Sequence, residues 1–245
     1  MLSEHPEMSV LPKEGPKLSL LLPDDDRCKL PPRLFGLYPQ VYHLTEKHLS
    51  KFDFSKIFKD WSTHWDIGKH VLFEKCPANA TRMRLLQAAF PNALFIGLVR
   101  NPYAVSEGIR RRRGHKIEDC AKHWQLANET MLKDAKYLNR FLLLRYEDLT
   151  EKPSATLEQI FSFIGIEKNI TIDTSKPIER HNITEIPQPV RNLNKLSISR
   201  LSEDEIDIIN KIDWPFAESF GYQCIETKKG IETENGRNNA KERIY

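Results

Sequence analysis

The chain has 245 residues, 40% of them hydrophobic and 29% charged, with a formal net charge of +3. That length suits one large domain or two small ones, and the composition is that of a globular protein with a solvated surface. So small a net charge gives no general affinity for polyanions, and no apolar run approaches the ~18 residues that a membrane span requires.

The first ten residues carry Glu4, His5 and Glu7 instead of a basic-then-apolar leader, so no signal peptide is expected there. Cys28, Cys76, Cys120 and Cys224 are far apart and form no C-x-x-C pair. A zinc site is therefore not expected, while free thiols and disulfides both stay open. Glycines do not cluster, and neither G-x-x-x-x-G-K-[ST] nor G-x-G-x-x-G occurs, so the chain encodes no glycine-rich phosphate cradle.

In chain order, Met1 to Pro6 reads as the last turn of a helix stopped by proline. Pro12 to Pro39 is proline-rich and mixed in charge, hence loop-like, with Leu18–Leu22 a short strand or buried turn. Apolar spacing at Phe54, Ile57, Phe58 and Trp61 predicts a helix within 45–66. His70–Glu74 predicts a short strand, Asn79 a cap for a helix bearing Met83, Leu86 and Phe90, and Leu94–Val99 a buried strand. The alternation of strand and helix argues for an α/β fold, a parallel sheet with crossover helices in three layers.

Ile117 to Leu138 carries the longest helical periodicity, and Phe141–Leu144 predicts another buried strand. A helix opens near Pro153 and closes at Gly165. Ser202 to Glu205 forms a capping-box pattern for a helix with Ile206, Ile209 and Ile212, and Gly221 ends a following turn. One domain over residues 1–225 and a polar, disordered tail over 226–245 is the economical division.

Two of the predicted strands end in a lone cation, Lys75 and Arg100. In a parallel sheet the carboxyl ends share one edge, where open α/β sheets bind ligands. Two cations facing one crevice favour an anion, most simply phosphate or sulfate. The bland alternative pairs each with a local acid, Glu74 or Glu107. The run Arg110–Arg113 reads as a solvated helix end whose charge complements the dipole.

HVLFEKCPANATRMRLLQAAFPNALFIGLVRNPYAVSEGI, residues 70–109, resembles the sulfotransferases that use 3′-phosphoadenosine 5′-phosphosulfate. Their pattern is a strand ending in Glu-Lys-Thr/Ser-Pro, a helix, and then F-P-x-A-x-x-I-x-x-V-R-x-P. The later LLRYEDL, TLEQIFSFIGI and ESFGY segments are also typical, and Trp124 and Asn128 sit as in the tyrosylprotein-type and bacterial branches. The resemblance implies a P-loop-like sulfotransferase fold, and a nucleotide donor with a hydroxyl or amine acceptor. It implies no metal, no nucleic acid and no membrane segment.

Position by position, the resemblance makes Lys75 the cation that neutralises the transferring sulfuryl group, with Cys76 in place of the usual hydroxyl residue. Arg100 matches the arginine on the donor's 3′ phosphate. The serine that partners it in the family falls at Gly108, and Ser106 points ~200° away around a helix of 3.6 residues per turn. Arg111 and Arg112, one turn beyond Gly108, are the candidates to replace that contact. Glu14 fits the loop glutamate that serves as general base in several branches.

Met1 to Met8 matches the tail of the helix that follows the family's P-R-S-G-T-like loop, so the chain is expected to lack the first strand and the 5′-phosphosulfate loop. Three functions follow as expectations. The first is a sulfuryltransferase; the second is an inactive remnant binding nucleotide weakly; the third is a basic nucleic-acid module using Arg110–Arg113 and Lys116. Compartment stays open between cytoplasm and, given an anchor upstream, the Golgi lumen.

Overall fold

The computed structural model describes residues 2–167 and 190–228. Of the tail expected over 226–245, residues beyond Lys228 lie outside this range. The chain divides into two compact units, one built from residues 1–99 and 127–192, the other from 100–126 and 193–245.

Among the described residues the strands pair in parallel. β1 (Met8–Val10) pairs with β2 (Val71–Phe73), and β3 (Phe95–Val99) pairs with β4 (Phe141–Arg145). Among the described residues no strand is hydrogen-bonded to the other edge of β2 or of β3. The parallel α/β arrangement expected from the alternation of patterns is thus present, but as two pairs. Lys75 follows β2 and Arg100 follows β3, so the two cations leave strands of different pairs.

The helices run in chain order from α1 (Gly15–Leu18), α2 (Asp25–Cys28) and α3 (Pro39–Tyr42) to α4 (Phe54–Ser62) and α5 (Met83–Ala89). Next come α6 (Pro102–Arg113), α7 (Ile117–Ala135), α8 (Tyr146–Glu151) and α9 (Pro153–Ile164). The series closes with α10 (Asn194–Ile198) and α11 (Glu203–Asp213). Ser202 and Glu205 form the expected reciprocal capping box on α11. Gly165, with φ 84°, ends α9 in the left-handed conformation that its lack of a Cβ makes inexpensive.

The helix expected within 45–66 is α4, which carries Phe54, Ile57, Phe58 and Trp61; it starts where the Asp53 carboxylate accepts the Lys56 N–H, and a 3₁₀ segment, Glu46–Lys51, precedes it. Two local expectations need correction. Asn79 does not cap α5; it lies in a 3₁₀ turn, Pro77–Thr81, with its side chain committed to Glu74 and Arg82. Met8–Val10 is a strand at a place read as the tail of a helix, and the only helical turn there is a 3₁₀ segment, Leu2–Glu4.

In the first unit, the strand pairs and α9 share one core: Met8, Leu144, Leu157, Ile160 and Phe161, with Val71, Phe73, Ile96 and Leu142 packed on it. A second core joins Leu11, Leu22, Ile57 and Trp61 beneath the α1 loop. The second unit has its own, with Tyr103 of α6, Ile117 and Ala121 of α7, and Ile209 of α11. Burying such side chains is worth roughly 1.5–3 kcal/mol each. The polypeptide at the ends of β2 and β3 is therefore anchored in packed interior within the first unit.

Candidate functional site

The segment after β2 is where strand geometry sorts the side chains. Successive residues of an extended chain point to opposite sides, so Glu74 and Lys75 part company. Glu74 turns inward, where its Oε1 accepts the Gly15 N–H at 2.8 Å and its Oε2 accepts a hydrogen bond from Asn79 Nδ2. Burial pushes the Glu74 carboxyl upward, against the pull of the Gly15 N–H and the Arg82 guanidinium. Lys75 turns outward and donates from Nζ to Glu14 Oε1 at 3.2 Å, with its side chain 63% exposed and that of Glu14 39%.

The local acid beside Lys75 is therefore Glu14, sixty-one residues earlier, and not its neighbour Glu74. An ion pair this exposed contributes little to stability. Its interest is chemical, since a carboxylate and an ammonium, expected separately from sequence, meet in one place.

Beneath the pair, Cys76 Sγ lies 3.8 Å from Glu14 Oε2 and 3.4 Å from Arg82 Nη2. Burial pushes its thiol up to about 12, which keeps it protonated and a poor nucleophile at neutral pH. Arg82 is fully buried and spreads its donors over Asn79 Oδ1 at 2.8 Å, the Pro23 carbonyl at 3.1 Å and Cys76. The sequence marks Asn79 only as a helix cap and gives no sign of the role of Arg82.

In the second unit, Arg100 donates from Nε to Asn194 Oδ1 at 2.9 Å, and its carbonyl accepts the indole N–H of Trp124 at 2.8 Å. A guanidinium is planar, so a bond at Nε sets the plane of the whole fork. Trp124 is in turn packed among Phe216, Phe220 and Tyr222, which gives Arg100 a rigid base. Asn194, from the start of α10 and ninety-four positions away, carried no sequence signal.

Gly108 lies on α6, and a Cβ built there would meet nothing within 4 Å. Arg111 Nε sits 2.9 Å from Oε1 of Glu107, a fully buried carboxylate that Arg200 also approaches at 3.9 Å. The acid offered as a local partner for Arg100 thus neutralises Arg111. Arg110 is held at 3.2 Å by Glu205. Arg112 is exposed near the end of the same helix. With Arg110 and Arg111 tied to acids, the four-arginine run is a weaker polyanion surface than its sequence suggests.

Among the described residues, no helix is long and apolar enough to cross a membrane, and no group of three or more His, Cys, Asp or Glu could hold a metal ion. Glu14 and Lys75 are brought together within the first unit. Arg100, Gly108, Arg111 and Arg112 belong to the second.

Solved structures similar to this one include the sulfotransferase domain from the olefin synthase of Synechococcus PCC 7002, at 21% identity over 69% of this chain, with a TM-score of 0.45. The chain spans 63% of the length of that domain. A sulfotransferase domain from the curacin biosynthetic pathway matches at 20% identity over 80% of this chain and 78% of its own, with a TM-score of 0.41. A sulfotransferase from Alicyclobacillus acidocaldarius matches at 13% identity over 86% and 87%, with a TM-score of 0.47. No curated protein matches the chain. The description "Sulfotransferase family" applies to the family model that matches residues 28–169, a stretch holding Lys75, Arg100, Gly108, Arg111 and Arg112 but not Glu14. A match over more than half of the chain, on the segments that build β2, β3, β4 and the helices between them, places this protein in the sulfotransferase family.

Proposed function

We propose that this protein transfers a sulfuryl group from 3′-phosphoadenosine 5′-phosphosulfate to a hydroxyl or amine acceptor by in-line displacement. The observation that carries the reading is the meeting of Glu14 and Lys75 at 3.2 Å. In the proposed step the acceptor oxygen or nitrogen attacks sulfur while the bond from sulfur to the bridging phosphate oxygen breaks. Glu14 takes the acceptor's proton, and the 3′,5′-bisphosphate leaves with the electron pair. Lys75 neutralises the charge that develops on the leaving oxygen, an interaction stronger in the transition state than in the ground state.

Lys75 suits that role because it is largely exposed yet tied at one end, so an anionic oxygen can reach it without prior unfolding of a buried pair. In this reading Arg100, oriented by Asn194, takes the donor's 3′ phosphate. Arg111 or Arg112 adds the contact that a serine at position 108 makes in the family. Cys76 contributes a half-buried, protonated thiol below the site and no nucleophile.

The test is direct. Calorimetry with the 3′,5′-bisphosphate should give a saturable heat that Arg100→Ala abolishes. Transfer from ³⁵S-labelled donor to a panel of simple alcohols, phenols, sugars and amines should be lost in Lys75→Ala. Glu14→Gln should lower kcat by roughly 10²–10⁴, the usual contribution of a general base, while leaving bisphosphate affinity intact. No heat with the bisphosphate would sink the donor assignment.

A further inference from the structure

Gly15 is held by side chains on both of its backbone polar groups. Its N–H is taken by Glu74 Oε1 at 2.8 Å, and its carbonyl receives the Trp61 indole N–H at 3.0 Å as well as the Ser19 N–H of the α1 turn at 2.9 Å. The fit leaves no room for a side chain. A Cβ at Gly15 would stand 2.6 Å from Trp61 Cζ2 and 3.0 Å from Glu74 Oε1. Trp61 is buried and packed edge-on against Trp65 and face-on against Phe90, so it cannot yield easily.

Behind Glu74 the polar contacts continue inward. Asn79 donates to Glu74 Oε2 and accepts from Arg82 Nε at 2.8 Å, and Arg82 is fully buried. The residue next to the gripped glycine is Glu14, the partner of Lys75. Lys75 itself directly follows Glu74 along the chain. One half-buried carboxylate is therefore bonded to the backbone beside one member of the pair and covalently continuous with the other.

We infer that Glu74 is a positioning residue: its grip on Gly15, backed by Asn79 and Arg82 and opposed by Trp61, sets the Glu14 carboxylate against Lys75. The inference rests on the sulfuryl-transfer reading for its catalytic consequence, and on the hydrogen bonds alone for the clamp itself. Glu74 does not touch the reacting atoms. It acts through the placement of Glu14, and a displacement of about 1 Å in such a group can cost on the order of 10²-fold in rate.

The experiment uses a polarity swap. Glu74→Gln keeps an oxygen for the Gly15 N–H but turns an amide NH₂ toward the NH₂ of Asn79, donor against donor. Adding Asn79→Asp restores an acceptor there while still accepting from Arg82. Two readouts are followed in the wild type, the single variant and the double variant. They are the hydrogen exchange of the Gly15 amide by NMR, and the kcat and KM of sulfuryl transfer with its pH dependence.

Glu74→Gln should speed Gly15 exchange at least tenfold and lower kcat about tenfold or more, with donor KM within twofold and the acid limb of the pH profile displaced. The double variant should bring both back toward wild type. Gly15→Ala, which pushes the loop off Trp61, should mimic the single variant. Unchanged Gly15 exchange in Glu74→Gln overturns the clamp, whatever the turnover. Faster exchange with unaltered kcat and pH profile overturns the positioning role. Loss of kcat that the double variant does not recover, despite restored exchange, overturns it equally. A wild type that transfers no sulfate defeats the reading of function instead, and the exchange comparison still decides the clamp.

Discussion

Gly108 is the residue where sequence and geometry speak most directly to each other. The family pattern puts a hydroxyl there, and the structure leaves open space around the position on α6. Gly108→Ser should therefore fit without repacking. It should stabilise the helix by a few tenths of a kcal/mol, because glycine costs more than serine in a helix interior. If Arg100 binds the 3′ phosphate, the new hydroxyl should also tighten bisphosphate binding, by about tenfold if it gains one hydrogen bond to a charged group. Titration calorimetry of the variant checks both halves, with a melting curve for the first. Asp213 offers a second residue-scale test. It is fully buried at the end of α11, neither carboxylate oxygen has a hydrogen-bond partner among the described residues, and burial pushes its carboxyl up to about 8. The folded form holds the proton more tightly than the unfolded chain, whose aspartate pKa is near 3.9. Its contribution to stability is complete below about pH 4 and is lost, at about 1.4 kcal/mol per pH unit, as the pH rises toward 8. Asp213→Asn removes that dependence, so its stability relative to wild type should climb from pH 4 and level off above pH 8 in denaturant titrations.

At the scale of elements, β3 illustrates how packing narrows what a strand can be. Gly97 lies in β3 where a Cβ would stand 2.7 Å from the ring of Phe141 on β4 and 2.9 Å from Met131 Sδ on α7. Gly97→Ala should cost about 1–3 kcal/mol, the usual price of overfilling a packed site, visible as a lower melting temperature. The periodic signals that produced β3, β4, α7, α9 and the α11 cap were strong enough to be read directly, because each is a run of apolar residues at one fixed spacing or a cap of defined chemistry. What could not be read is instructive. β1 has three residues and no alternation long enough to register, and its strand identity comes from pairing with Val71–Phe73. Asn79 looked like a cap because local sequence makes it one; Glu74 and Arg82 outcompete that role through tertiary contact. Lys75, Arg100 and Glu14 could be named from motifs, whereas Asn194, Arg82 and the Gly15 clamp could not, since each depends on residues brought together from distant parts of the chain.

For the molecule as a whole, the proposed binding of a nucleotide donor would link ligand and fold thermodynamically. A bisphosphate that binds only the folded form should stabilise it by about 2.7 kcal/mol at a hundred times its dissociation constant. The rise in melting temperature should shrink in Arg100→Ala and Lys75→Ala, and it should weaken as salt screens the phosphate charges. A melting temperature indifferent to the nucleotide at every concentration would contradict the donor reading independently of any acceptor. Among the described residues β2 and β3 are each paired on one side only, which has a colloidal consequence as well. An unpaired strand edge is a row of backbone donors and acceptors ready to template another chain. β3 also carries Leu98, a residue 51% exposed. Crowding at high protein concentration should begin there: Leu98→Lys is expected to suppress concentration-dependent light scattering while leaving the melting temperature where it was.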